Sequence, residues 1–199
     1  MDPIVSLQGR TIVVTGAGQG IGKGIVELAI ELGANVVAVD LNGQTLDAAV
    51  SPLPQARVLA VQGSVADPAV ADRAVTEAVA KFGAVHGLVN NAGINIRGPI
   101  ETLTEAQWDD VIDTNLKGPW LCCRAVAETM KAQKSGRVIN LSSMLGEIGL
   151  ADRTPYCSSK GGLTLMTKTL ALEWAKYGIN VNALCPGPFL TEINKPLLD

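Results

Sequence analysis

Residues 154–162, TPYCSSKGG, place a phenol and an ammonium group four residues apart. On an α-helix, Tyr156 and Lys160 would lie on the same face, one turn apart, and could reach the same small volume. A phenol next to a positive charge can exchange a proton with a substrate oxygen, because the charge stabilises the phenolate. The same pair is also found on solvated helix faces that carry no chemistry, so the rest of the sequence has to distinguish the two interpretations.

The residues around this pair predict the helix that would carry it. Thr154 is an acceptable N-cap, Pro155 suits the first helical position, and Gly178 is a natural stop. We therefore predict a helix over residues 155–177 with Tyr156 in its first turn. The positive end of the helix dipole mildly favours an anion there.

Short β-branched runs alternate with amphipathic stretches along the chain. The predicted strands are TIVVTG, NVVAVD, RVLAVQG, VHGLVNN, GRVINLS and INVNALCPG, and the predicted helices cover residues 19–32, 43–50, 68–82, 104–133 and 155–177. Strands this apolar, without clean alternation, are typical of a parallel sheet with helices on both faces. We therefore predict an α/β fold with a doubly wound parallel sheet of the Rossmann type, which binds ligands at the carboxyl ends of its strands.

The bulk composition is that of an ordinary globular protein, and we expect one domain over residues 1–199, with 47% apolar and 18% charged residues. With a net charge of −3, the chain has no excess of positive charge that would favour binding to nucleic acid or to an anionic membrane. The N-terminus lacks a signal peptide, and no apolar run is long enough to span a bilayer, so we expect a cytoplasmic protein. The four cysteines lack metal-ligand spacing, so we expect free thiols and no metal site.

The residues that follow the first two strands suggest a dinucleotide site. Gly16, Gly20 and Gly22 lie between a strand and a helix, where glycines allow a tight turn and close approach to a pyrophosphate. Asp40 ends the second strand, where a carboxylate can bind both ribose hydroxyls of an adenosine. For Asp40 alone, capping of the next helix is a serious alternative.

Polar residues and glycines also follow the later strands. NNAG, residues 90–93, can form a hydrogen-bonded turn beside the glycine loop. Ser142 and Ser143 follow the fifth strand, and CPGPFLT follows the sixth, with Thr191 offering a hydroxyl. All of these would line the rim where a dinucleotide lies.

Six of these features, in this order, resemble the short-chain dehydrogenase/reductase family, from about residue 7 to about residue 195. They are TGAGQGIG, NNAG, the TNLKG around Asn115, Ser143 thirteen residues before Tyr156, the Tyr156-x-x-x-Lys160 pair, and PGPFLT. The resemblance implies oxidation of an alcohol or reduction of a ketone with NAD or NADP.

The resemblance also implies roles for individual residues. Tyr156 would transfer the proton, and Lys160 would assist it and bond the nicotinamide ribose. Ser143 would hydrogen-bond the substrate oxygen, and Asn115 would hold a water that relays the proton from Lys160. The implied cofactor-binding set is Gly16, Gln19, Gly20, Ile21, Gly22, Asp40, Ser64, Val65, Asn91, Ala92, Gly93, Tyr156, Lys160, Pro186, Gly187 and Thr191.

Two expectations follow from charge. A free phenol has a pKa of about 10, and an ammonium about 4 Å away at an effective dielectric near 20 supplies roughly the 4 kcal/mol needed to bring it near neutrality. We therefore expect Lys160 to lower the pKa of Tyr156. Asp40 would repel a 2′-phosphate, and neither Leu41, Asn42 nor Gln19 offers a positive charge, so we expect NAD rather than NADP.

The sequence departs from the family in two places. Ser64 stands where many relatives have an Asp that bonds the adenine amino group. The sequence ends at Asp199, whereas the family normally continues through a lid helix and one more strand. We therefore expect either a shortened version of a longer protein or an enzyme whose completeness is in doubt, with the sixth strand left as an apolar edge.

The substrate stays open at this point. Asn95, Arg97 and Glu147 follow strand ends and favour a small polar alcohol or ketone, such as a polyol or sugar acid, although each is also compatible with a solvated loop. A ketoacyl or steroid-like substrate is the alternative within the enzyme class, and a cofactor-binding protein with weak or no catalysis is the alternative outside it. The helices over 104–133 and 155–177 resemble those through which family members form homodimers and homotetramers.

Overall fold

The computed structural model describes residues 6–187 and places six parallel strands in one sheet, in the order β3-β2-β1-β4-β5-β6. The strands are β1 Thr11–Thr15, β2 Asn35–Asp40, β3 Val58–Gln62, β4 Gly87–Asn90, β5 Gly136–Leu141 and β6 Ile179–Leu184. The helices are α1 Gly20–Glu31, α2 Gly43–Val50, α3 Pro68–Phe82, α4 Glu105–Ile112, α5 Gly118–Gln133 and α6 Thr154–Trp174. The predicted doubly wound parallel sheet is confirmed.

The apolar strands are covered on both faces, which explains why they lack an alternating pattern. On one face, α1 and α2 pack on the sheet through residues such as Val26, Ile30 and Leu46. On the other face, the core includes Val75 of α3, Met130 of α5 and Trp174 of α6. The strands are therefore the middle of a three-layer structure.

Local capping sets several helix boundaries. Asn42 caps α2 by accepting the N–H groups of Gln44 and Thr45, and Asp67 caps α3 by accepting the N–H of Ala69. The prediction that Thr154 is the N-cap of α6 is wrong by one residue, because Arg153 holds that position and makes no side-chain cap bond. Tyr156 does lie in the first turn, as predicted, and Gly178, with φ of 72°, ends the short 3₁₀ turn that follows α6.

The predicted helix over 104–133 is interrupted by a π-helical turn, Asp113–Lys117, between α4 and α5. Pro119 explains the interruption, because a proline has no N–H to donate to the carbonyl of Asn115 four residues earlier. The N–H of Gly118 donates instead to the carbonyl of Asp113, which widens the helix by one residue. Asn115 lies in this turn and is fully buried.

A buried polar chain fastens α6 to the centre of the sheet. The Asn90 side chain donates to Asn140 Oδ1 at 2.8 Å, and Asn140 Nδ2 donates to Thr167 Oγ1 at 2.8 Å. Ser142 also contacts α6, through the carbonyl of Lys160 at 2.9 Å. These bonds fix the helix that carries Tyr156 relative to the carboxyl ends of β4 and β5.

Candidate active site

A cleft of about 990 Å³ opens at the carboxyl ends of the strands. The chain leaves β1 toward one side and β4 toward the other, so a crevice forms between these neighbouring strands. The volume is at the upper end of the range of about 300–1,000 Å³ that is usual for ligand sites. Its lining includes Gly16, Gln19, Gly20, Ile21, Asp40, Ser64, Val65, Asn91, Ala92, Gly93, Ser143, Tyr156, Lys160, Pro186 and Gly187.

The glycine loop after β1 is held against the NNAG turn after β4. Asn91 Nδ2 donates to the carbonyls of Thr15 and Gly16, at 2.9 and 3.1 Å. Thr15 Oγ1 accepts the N–H groups of Asn91 and Ala92, at 3.0 and 3.1 Å. A Cβ added to Gly22 would lie 2.0 Å from the carbonyl oxygen of Gly16, so only glycine permits this close packing.

The Asp40 carboxylate, at the end of β2, bonds to the glycine loop and does not cap a helix. Its Oδ2 accepts the N–H of Gly18 at 2.8 Å, and its Oδ1 accepts the N–H of Asn42 at 2.9 Å. Asn42 itself caps α2, so the alternative in which Asp40 caps that helix is wrong. The carboxylate stands in the cleft wall beside exposed Leu41.

The remaining predicted cofactor residues lie around the same cleft. Ser64 Oγ accepts the N–H of Ala66 at 3.2 Å, and the nearby carboxylate of Asp67 is engaged in capping α3. The carbonyl of Pro186 accepts the N–H of Met144 at 3.1 Å, which joins the end of β6 to the rim. Thr191 lies outside the described residues.

The side chains of Tyr156 and Ser143 are neighbours in the cleft lining. Burial raises the pKa of Tyr156, and a hydrogen bond with Ser143 opposes this in part. The expected lowering of this pKa by Lys160 is therefore wrong for the structure as it stands, because loss of water around the half-buried phenol is the largest effect. The phenol is protonated at neutral pH and can act as a proton donor.

Lys160 is buried below the phenol, with 4% of its surface exposed. Its Nζ donates to the carbonyl of Leu141 at 2.5 Å and lies 5.7 Å from the centre of the Tyr156 ring. Burial lowers the pKa of Lys160 to about 8. The ammonium is thus held between the end of β5 and the phenol and loses its charge in mildly alkaline solution.

Asn115 reaches this region from the π turn. Its Oδ1 accepts the N–H of Ile94 at 2.8 Å, and its Nδ2 donates to the carbonyl of Ile94 and to Ser159 Oγ, at 2.9 and 3.1 Å. A Cβ on Gly93 would lie 3.2 Å from Asn115 Oδ1 and 3.6 Å from Lys160 Nζ. The structure therefore brings the NNAG turn, Asn115 and Lys160 together.

Lys160→Met should make stability less dependent on pH. The folded pKa of about 8 lies below the ordinary value of 10.5, so charging Lys160 destabilises the fold. This cost is present in full below pH 8 and disappears as the pH rises toward 10.5, because the unfolded chain binds more protons in that window. A pKa difference of this size lowers the free energy of unfolding by about 3 kcal/mol. Methionine at position 160 carries no charge and avoids this cost.

We expect the stability advantage of Lys160→Met to shrink by about 2 kcal/mol between pH 7 and pH 9.5 in urea unfolding. Lys168→Met, which removes an exposed lysine from the same helix, is the matched control and should show a pH-independent offset. A constant difference between Lys160→Met and the parent across this range would contradict the buried charge.

The cysteines differ in their surroundings. Cys122 and Cys123 are buried in α5, and burial raises the pKa of each thiol to about 12, which makes them unreactive. Cys157 is half-buried and Cys185 is exposed, and all four are free thiols. Within residues 6–187, no cluster of three or more His, Cys, Asp or Glu side chains could hold a metal ion.

The residues of the cleft region that the sequence interpretation missed include Thr15, Gly18 and Arg153. Thr15 links the glycine loop to the NNAG turn by hydrogen bonds, and the N–H of Gly18 donates to the Asp40 carboxylate. Arg153 lines the cleft just before α6. The position of Arg153, three residues before Tyr156, is a signal that the sequence does contain.

Across the described part of the chain, no helix is both long and apolar enough to cross a membrane.

The cleft fits a nicotinamide dinucleotide. The glycine loop leaves α1 with its first N–H groups free of side-chain caps, a cradle suited to a pyrophosphate. The carboxylate of Asp40 and the phenol and ammonium of α6 line the same cleft. The fold and the cleft together define a dinucleotide-binding protein of the doubly wound class.

The chain belongs to the short-chain dehydrogenase family, whose family model, described as short chain dehydrogenase, matches residues 10–199. It is 36% identical to the NAD-dependent glycerol dehydrogenase of Listeria innocua, covering 98% of this chain and 76% of that protein. It is 39% identical to a 3-oxoacyl-[acyl-carrier-protein] reductase of Staphylococcus aureus, covering 96% of this chain and 78% of that protein.

A similar solved structure supports the same family assignment. A gluconate 5-dehydrogenase from Burkholderia cenocepacia, in complex with NADP and tartrate, superposes with a TM-score of 0.89 at 34% identity, covering 98% of this chain and 77% of that chain. The protein is therefore an oxidoreductase that acts on alcohols or ketones with a nicotinamide cofactor.

Proposed function

We propose that this protein is an NAD-dependent oxidoreductase that interconverts a secondary alcohol and a ketone, with a small polar substrate of the polyol or sugar-acid type. The observation that carries the proposal is the grouping of Tyr156, Ser143 and Lys160 in the cleft that also contains the glycine loop and Asp40. A proton donor, an oxyanion partner and a nucleotide cradle are the parts that this reaction needs.

Tyr156 is the group that exchanges a proton with the substrate oxygen. Hydride transfer to or from the substrate carbon would be the chemistry that a nicotinamide cofactor held by this cleft supplies. Ser143 hydrogen-bonds the same substrate oxygen and, through its bond with Tyr156, keeps the phenol oriented. In the reductive direction the protonated phenol delivers its proton to the developing alkoxide, and in the oxidative direction the phenolate removes it.

Lys160 and Asn115 serve the proton path. The Lys160 ammonium stabilises the phenolate that forms after transfer, and its three donors leave capacity for the ribose beyond the bond to Leu141. The side-chain amide of Asn115 is engaged by Ile94 and Ser159, so we assign the relay water to its backbone carbonyl. Pro119 has no N–H, so the usual helical donor to that carbonyl is missing.

Apolar side chains support a second substrate class. Met144, Ile148 and Leu150 line the cleft and are exposed, which favours a ketoacyl or steroid-like ketone. The similarity to a 3-oxoacyl reductase points the same way. The polar candidates in the loops, Asn95, Arg97 and Glu147, and the similarity to glycerol and gluconate dehydrogenases favour the polar class.

A cofactor assay over a substrate panel tests the function. NADH formation is measured with polyols, sugar acids and hydroxy acids, and NADH oxidation with the matching ketones and a 3-oxoacyl thioester. Turnover of the polar set is expected, and preference for the thioester would replace it with the second class. Cofactor binding without turnover over the whole panel would favour the alternative of a weak or inactive cofactor-binding protein.

Self-association is part of the proposal. Trp120 of α5 and Leu165 and Leu172 of α6 are exposed, and Leu172 has 83% of its surface accessible. Large apolar side chains on helix faces favour pairing with a second copy. A homodimer or homotetramer is expected in sedimentation equilibrium.

A further inference from the structure

Arg153 occupies a position from which it can contact the substrate. It directly precedes α6, three residues before Tyr156, and both side chains line the same cleft. Arg153 is the N-cap, with φ of −132° and ψ of 23°, so its nearness to Tyr156 is shown by the shared cleft and not by helix spacing. A group bound by Arg153 would therefore belong to the same compact molecule whose oxygen meets Tyr156.

A second guanidinium lies close to Arg153. The N–H of Gly98 donates to the carbonyl of Asp152 at 3.2 Å, which brings the loop containing Arg97 against the start of α6. Burial lowers the pKa of Arg153, and the positive charge of Arg97 lowers it further. One N–H of the Arg153 guanidinium donates to the carbonyl of Asp152 at 3.0 Å, and its other donors remain for a ligand in the cleft. An anion bound there would offset the loss of water around the guanidinium.

Acidic groups also lie beside Arg153 and in the cleft lining. The Asp152 carboxylate stabilises the charged form of Arg153, but its effect is smaller than those of burial and Arg97. Asp113, which also lines the cleft, forms an ion pair with Lys117 at 3.2 Å. Asp110 of α4 lines the cleft as well. Among the described residues that line the cleft, the basic ones are Arg153 and Lys160.

We propose that the substrate carries a carboxylate and that Arg153 binds it, while the reacting oxygen meets Tyr156 and Ser143, which line the same cleft. This inference rests on the proposed oxidoreductase function and narrows its substrate from polar alcohols in general to hydroxy acids and keto acids. A guanidinium presents two parallel donors to the two oxygens of a carboxylate, which gives orientation as well as attraction.

Matched substrate pairs test the assignment. Glycerol and glycerate, xylitol and xylonate, and sorbitol and gluconate each differ in one terminal group, a hydroxymethyl or a carboxylate, and the three pairs scan chain length. The measured quantity is the ratio of kcat/KM for the acid to that for the polyol. We expect the parent to favour the acid of at least one pair by about tenfold or more.

Arg153→Met should lower that ratio by about ten- to a hundredfold, mainly through KM for the acid, because a charge-assisted bond is lost. Arg153→Lys keeps the charge without the two-pronged geometry and should fall between Arg153→Met and the parent. Arg137→Met is the matched control, since Arg137 is exposed and lies at the opposite end of β5, and it should leave the ratio unchanged.

The outcomes separate this inference from the proposed function. Turnover of polyols with no preference for acids in any pair, or an unchanged ratio in Arg153→Met, overturns the inference and leaves the oxidoreductase function standing. Preference for glycerol 3-phosphate over glycerate would show that the site reads a phosphate and would also overturn it. If nothing is turned over, calorimetric binding of gluconate against sorbitol to the NADH complex decides: equal affinities reject the carboxylate site.

Discussion

Replacing Tyr156 with phenylalanine should lower turnover by about 100-fold or more, while the dissociation constant of NADH stays within about twofold of the parent. The substitution removes one hydroxyl and keeps the half-buried ring, whose centre lies 5.7 Å from Lys160 Nζ. The proton that the substrate oxygen gains or loses then has no donor or acceptor in position. Steady-state kinetics and NADH fluorescence titration measure the two quantities.

Tyr177→Phe is the matched control, because Tyr177 lies in the 3₁₀ turn after α6, at the opposite end of the helix from the cleft. It also removes one phenolic hydroxyl, from a residue away from the cleft, and should leave turnover within about twofold of the parent. Turnover of Tyr156→Phe within a few fold of the parent would remove Tyr156 from the reaction. Equal losses in both variants would point to a general effect on folding.

The sheet was predictable from the sequence because burial on both faces leaves a strong signal. All six runs of β-branched residues form strands, and three predicted helices, over 43–50, 68–82 and 19–32, agree with α2, α3 and α1 to within one residue. The glycine loop was predictable for a related reason, since Gly22 packs so closely on Gly16 that only glycine fits. Burial of the strands and close packing at the glycines restrict the residue types at these positions, so both leave a pattern in the sequence.

Interactions between distant residues were not predictable in the same way. The pairing of Asp40 with the N–H of Gly18 depends on two turns meeting across the sheet edge, and a lone carboxylate gives no sign of it. The pKa of Tyr156 depends on how much water the fold removes around the phenol, which outweighs any charge that the spacing alone suggests. The π turn was partly visible, because Pro119 marks a missing donor within the predicted helix.

Exchanging Asp40 for Ser together with Leu41 for Arg should shrink or reverse a preference for NAD over NADP that we expect to be about ten- to a thousandfold in kcat/KM. The Asp40 carboxylate lines the cleft, where it would accept ribose hydroxyls and repel a 2′-phosphate. At about 4 Å and an effective dielectric near 20, that repulsion is at most about 4 kcal/mol, and solvent reduces it.

The structure shows what each half of this double substitution changes. Leu41 has 70% of its surface exposed, so an arginine there costs no core packing and can offer a phosphate two parallel donors. Removing the Asp40 carboxylate also removes the acceptor for the N–H groups of Gly18 and Asn42, so a looser glycine loop should raise KM for both cofactors. The ratio of the two efficiencies cancels that shared loss.

Asp40→Asn separates charge from shape, because the amide keeps one acceptor oxygen for the glycine loop and loses the negative charge. It should reduce the NAD preference part of the way, and the arginine of the double variant should account for the remainder. Steady-state kinetics with both cofactors on the parent, the single variant and the double variant measure these steps. Equal efficiency with NAD and NADP in the parent, or an unchanged ratio in both variants, would mean that Asp40 does not contact the ribose.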